Sequence, residues 1–151
     1  MPVETTHLLV AELRGDLLVP CGPVHNGQAP ERAASKVLLG APRGILVLRQ
    51  VAVDWVQMRR RQIITYVVAT KPLTHADAAR LTYRDGRADL WMLPIAQVTS
   101  ALPTLAQARV LAGLKALAEE EMAYLEAGVV SRTDSATGSR PLRGERRAAF
   151  P

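Results

Sequence analysis

Hydrophobic positions follow two rhythms along the chain. Residues 7–13 and 17–20 are short apolar runs separated by Arg14-Gly15-Asp16, and they predict a β-hairpin. Residues 21–29 hold two glycines and a proline and read as a loop. From Pro30 the spacing turns helical: Ala33, Ala34, Val37 and Leu38 recur on one face while Glu31, Arg32 and Lys36 fall on the other. A helix is therefore predicted over residues 30–39, opened by Pro30 and ended by Gly40, Pro42 and Gly44. Residues 45–56 and 62–69 predict two strands joined through residues 57–61. In the second strand Ile63, Thr65 and Val67 alternate with Ile64, Tyr66 and Val68, so both faces are largely apolar and the strand is expected to be covered on both sides.

Thr74, with Asp77 three residues on, predicts a capped short helix, followed by a turn at residues 83–86 and a strand over 88–93. A further short helix is expected around residues 94–101. The stripe of Val110, Leu111, Leu114, Leu117, Ala118, Met122 and Leu125 predicts one long helix that starts at a Thr104/Gln107 capping box and closes near Gly128. Residues 131–151 are polar, broken by Gly and Pro, and have little to bury, which predicts a disordered basic tail behind a single domain of residues 1–130. Interleaved strands and helices indicate an α/β fold with a mixed sheet sandwiched between helices.

Composition supports one folded domain: 151 residues, 48% hydrophobic, with a formal charge of only +5. The charge is uneven, since residues 128–151 carry five arginines against Asp134 and Glu145. With aromatics at 4% and no base-stacking motif, the basic balance argues against a nucleic-acid partner. Cys21 is the only cysteine, so no intramolecular disulfide forms. No stretch reaches the roughly 20 apolar residues of a membrane span, and no basic-then-apolar leader opens the chain. The expectation is a cytoplasmic protein without a membrane partner, with homo-oligomerisation left open.

Residues 20–45 resemble the Nudix box. Gly22 stands as its first glycine, Gln28 follows Gly27 where the first glutamate belongs, Ala29-Pro-Glu-Arg-Ala-Ala34 is typical of the helix start, and Lys36 replaces the arginine. The three remaining glutamates fall on Val37, Gly40 and Ala41, and the closing glycine fits Gly44 if the loop has gained one residue. The resemblance continues through Arg59-Arg60-Arg61, the strand end Trp91-Met-Leu-Pro94 and a terminal helix, from about residue 6 to about residue 127. It implies a Nudix-type α/β/α sandwich with a mixed sheet, related to hydrolases of nucleoside-diphosphate-linked pyrophosphates whose helix glutamates hold magnesium. Valine, glycine and alanine supply no oxygen ligand, and Gln28 brings a carbonyl without charge. Neither magnesium nor another cofactor is therefore expected, no catalytic or metal-binding residue is assigned, and ordinary hydrolysis is not expected.

The candidate ligand-binding residues are Gln28, Lys36, Arg59, Arg60 and Arg61, because guanidinium and ammonium groups match phosphate oxygens. Within a strand Arg59 and Arg61 share the face opposite Arg60, so the run makes a three-pronged clamp only in a turn. Cys21 and His25, four apart, have the makings of a thiolate–imidazole pair, but a loop does not fix that geometry. Glu119, Glu120 and Glu121 on a helix point roughly 100° apart and read as a solvated face. His7 and His75 show no partner. The functional expectation is a non-catalytic or atypical Nudix-fold protein that binds an anionic, phosphate-bearing small molecule. The alternatives are a hydrolase with metal ligands outside the box and a protein interaction module.

Overall fold

The computed structural model of the chain describes residues 6–40 and 45–136. Strand β1 (His7–Leu13) turns through Arg14 and Gly15, both at positive φ, into β2 (Asp16–Leu18). After the glycine loop come α1 (Pro30–Ala34) and the two-residue β3 (Leu38–Leu39). Long strands β4 (Val47–Gln57) and β5 (Gln62–Thr70) form a hairpin, followed by α2 (His75–Ala79), β6 (Thr82–Tyr83) and β7 (Asp89–Pro94). The described chain ends with α3 (Ile95–Ala101), α4 (Thr104–Ala118), β8 (Glu121–Glu126) and β9 (Val129–Ser135). The described residues form a mixed α/β fold with three sheets: β2-β1-β7, β3-β6, and β5-β4-β8-β9, in which β4 and β8 run parallel. None of the described helices is long and apolar enough to cross a membrane.

Alternation along β1 covers its sheet on both sides. Val10 packs with Val98 and Leu102 of the α3 region, while Ala11 packs with Leu38, Leu81 and Tyr83. On the four-stranded sheet, Ala112 and Ala116 of α4 meet Val51, Ala52, Ala123 and Leu125. The opposite face receives α1, because Gln50 donates its side-chain amide to Glu31 at 3.0 Å and Gln50 pairs with Val68. Two polar ties fasten α4. Arg109 Nε donates to the fully buried Asp54 of β4 at 2.6 Å, and the Gly128 N–H donates to the other carboxylate oxygen at 3.1 Å. Arg49 donates to the carbonyls of Ala116 (3.1 Å) and Glu121 (2.6 Å), which sets a cation on the negative end of the helix.

Several expectations change. The box helix stops at Ala34, where the Ser35 hydroxyl donates back to the Arg32 carbonyl at 2.7 Å. Leu38 and Leu39 instead pair with Tyr83 and Thr82. The last helix stops at Ala118, because Glu120 takes φ 55 and Met122 and Leu125 belong to β8, whose buried Ala123 and Leu125 alternate with Met122 and Tyr124. No capping box forms: Pro103 is the N-cap, and the Gln107 N–H bonds its carbonyl. β5 is an edge strand with Ile63, Ile64 and Tyr66 exposed, so it is not covered on both sides. Thr74 does cap α2, accepting from the Asp77 N–H at 3.0 Å.

β9 also takes residues 131–135 out of the expected tail; residues 137–151 lie outside the described residues. Cutting the chain after Val130 removes the Ser131 hydroxyl bond to the Tyr124 carbonyl and the Arg132 contact with the Tyr124 ring. We expect that truncation to lower the melting temperature by about 4 °C or more. An unchanged melt would show that this part of β9 adds nothing to the domain.

Candidate functional site

The loop before α1 is pinned on itself: the Gln28 N–H donates to the His25 carbonyl at 3.0 Å, and the His25 N–H donates to Gln28 Oε1 at 3.3 Å. Around this loop and α1 lies a recess in two parts. The outer part, about 450 Å³, is lined by His25, Asn26, Gly27, Gln28, Ala29, Arg32 and Lys36. The inner part, about 140 Å³, shares His25, Gln28 and Lys36 and adds Gly22, Pro23, Ala33, Val37 and Arg84. Every ionisable side chain on these walls is basic, and no carboxylate lines either part.

Arg84 reaches the recess because β6 pairs with β3. Its N–H donates to the Val37 carbonyl at 2.9 Å, and its Nε donates to the Cys21 carbonyl at 2.7 Å. The same carbonyl accepts the Tyr83 hydroxyl at 2.8 Å, and the guanidinium stands 5.8 Å from the Tyr83 ring centre. Burial pushes the Tyr83 phenol up, with the Cys21 side chain adding to the rise, so the hydroxyl stays a proton donor at neutral pH. The neighbouring Asp85 is already engaged by Arg87 through contacts of 2.9 and 3.0 Å. Those hydrogen bonds hold its carboxyl at about 2, well below the usual carboxylate range. Among the described residues, Arg32, Lys36 and Arg84 form no ion pair.

The structure thus brings Gln28 and Lys36 together. It sets Arg59, Arg60 and Arg61 elsewhere, in the exposed turn between β4 and β5 that is closed by the Met58 N–H on the Arg61 carbonyl at 2.8 Å. From Gln50, where α1 docks, β4 runs seven residues to Gln57, roughly 23 Å at strand rise. Of the positions where the resemblance places glutamates, Val37 is buried at the floor of the inner recess. Gly40 has φ 99, with an added Cβ only 2.6 Å from the Arg80 carbonyl oxygen, and Ala41 lies outside the described residues.

Cys21 has the Tyr83 hydroxyl 3.6 Å from its sulfur as its side-chain partner, in place of His25. Glu119 caps α4, Glu120 turns the chain and Glu121 begins β8, so the acidic run is not one helix face. His7 and His75 do meet, edge to face, with ring centres 6.3 Å apart. Among the described residues no group of three or more His, Cys, Asp or Glu side chains converges. Arg32, Arg84 and His25 also stand on the walls, beyond the residues that the sequence pattern singles out as ligand contacts. Arg32 and His25 stand inside the very segment that carries the resemblance, whereas Arg84 depends on the pairing of Leu38 with Tyr83, which no local pattern reveals. No family model, no curated protein and no solved structure matches this chain.

Proposed function

We propose that the chain is a Nudix-fold protein whose altered box binds an anionic, phosphate-bearing small molecule by direct contact with Lys36, Arg32 and Arg84, without metal-dependent hydrolysis. One observation carries this reading: all ionisable groups lining the recess are basic. The placement of α4 and α1 on opposite faces of a mixed sheet is what a Nudix-type sandwich requires. Magnesium takes oxygen ligands, usually one or two carboxylates with substrate phosphates and water. The walls offer only the side-chain carbonyls of Asn26 and Gln28, so the donor set does not fit that ion.

A helix bearing glutamates repels a bare phosphate and needs a cation between them. Here the box segment presents Arg32 and Lys36 to the outer part, and Arg84, held by its bond to Cys21, lines the inner part with Lys36. Guanidinium and ammonium donors then contact the anion without mediation. A volume of about 450 Å³ falls within the range of small-molecule sites.

Phosphorus NMR of ADP-ribose with the protein tests both halves of the proposal. With a chelator present, the pyrophosphate signals should shift or broaden; with magnesium present, they should persist without product peaks. Product formed only with magnesium would replace this reading by that of an atypical hydrolase.

A further inference from the structure

Among the described residues, α1 covers one face of the four-stranded sheet only at its Gln50–Val68 end. From Val68, alternation places Tyr66 and Ile64 on that face, and the register sets Val53 between Tyr66 and Tyr124 and sets Trp55 between Ile64 and Glu126. Trp55 and Tyr124 lie nearly parallel, with ring centres 6.0 Å apart, and Arg132 of β9 covers the Tyr124 ring at 4.2 Å. Around this ladder Ile64 is 43% exposed, Tyr66 36% and Val129 70%. Three of the chain's five Tyr and Trp residues therefore gather on one sheet face, beyond the end that α1 covers and with no other described helix over them.

We infer that this face is the interface of a two-fold homodimer in which Glu126 of each copy meets Arg132 of the other. An isologous interface must be self-complementary, each patch supplying what its own copy lacks. On this face stand Glu126 of β8 and, two residues apart on the adjacent β9, Arg132 and Asp134; neither Glu126 nor Arg132 forms an ion pair among the described residues. A two-fold axis in the plane of the interface, midway between Glu126 and Arg132, exchanges the two positions and brings the Tyr124 regions of the two copies together. Tyr, Trp and Arg are the residue types enriched in interface centres. A single-stranded nucleic acid suits the face less well, because Tyr124 already has Trp55 and Arg132 against it, and Glu126 and Asp134 oppose phosphates.

Sedimentation of the full chain over a concentration series tests the inference. A dimer is expected, and Ile64→Glu, on an exposed edge position, should shift it to monomer. Glu126→Arg and Arg132→Glu should each raise the dimer dissociation constant by at least about tenfold, by setting like charges against each other. The double variant Glu126→Arg/Arg132→Glu should recover most of that loss, which a merely damaged fold would not do. A parent protein that stays monomeric, a dimer indifferent to Ile64→Glu, or a double variant no better than the single ones would overturn it. So would a monomer that retains single-stranded oligonucleotides through this face.

Discussion

Arg109→Ala is expected to cost about 3–5 kcal/mol of stability, because it strips a buried carboxylate of its counter-charge. The Asp54 side chain is fully buried and the Arg109 side chain only one-fifth exposed, and after the substitution Asp54 keeps just the Gly128 N–H as a donor. For a chain of this size, that corresponds to a melting temperature lower by roughly 6–20 °C. The double variant Asp54→Leu/Arg109→Leu should regain much of the loss, since a buried ion pair exchanged for apolar side chains is often near neutral. Recovery should fall short of complete, because the Gly128 N–H then has no acceptor. Thermal melts of the parent, Asp54→Leu, Arg109→Leu and the double variant give the coupling between the two residues. Additive losses would show that they do not act as a pair.

Returning a glutamate to the box at Gly40 is expected to break the fold before it builds a metal site. Gly40 holds φ 99, and a Cβ there meets the Arg80 backbone oxygen at 2.6 Å, a contact that no side-chain rotation relieves. Gly15 supplies the control: its φ is 83, but nothing lies within 4 Å of an added Cβ. Gly15→Glu should cost only the left-handed backbone penalty, about 1–2 kcal/mol. Gly40→Glu should melt well below it and gain no magnesium-dependent hydrolysis of ADP-ribose. A folded Gly40→Glu protein that hydrolyses it would contradict the local geometry described above.

What the sequence revealed was local. Arg14-Gly15 marks the first hairpin, Thr74 with Asp77 marks the α2 cap, and Gln28 with Lys36 marks one recess, all within a few residues of chain. The errors share one cause. Val37 and Leu38, and again Met122 and Leu125, continue a helical spacing, yet distant partners decide their state: Tyr83 for Leu38, and β4 for β8. Arg59, Arg60 and Arg61 were visible as a charge run, but their distance from Lys36 is set by the length of β4. Asp54 is itself a signal in the sequence, an acid in the apolar run Val51-Ala-Val-Asp-Trp-Val56, where burial demands a partner.

The most direct test of anion binding in the recess is calorimetric titration of pyrophosphate into the protein in chelating buffer, repeated with Lys36→Ala, Arg84→Ala and Arg60→Ala. A charge-assisted hydrogen bond contributes about 1.5–3 kcal/mol, so Lys36→Ala and Arg84→Ala should each weaken binding roughly 10- to 100-fold. Arg60→Ala, at the far end of β4, should leave the affinity unchanged. No binding by the parent, or a loss confined to Arg60→Ala, would contradict the account.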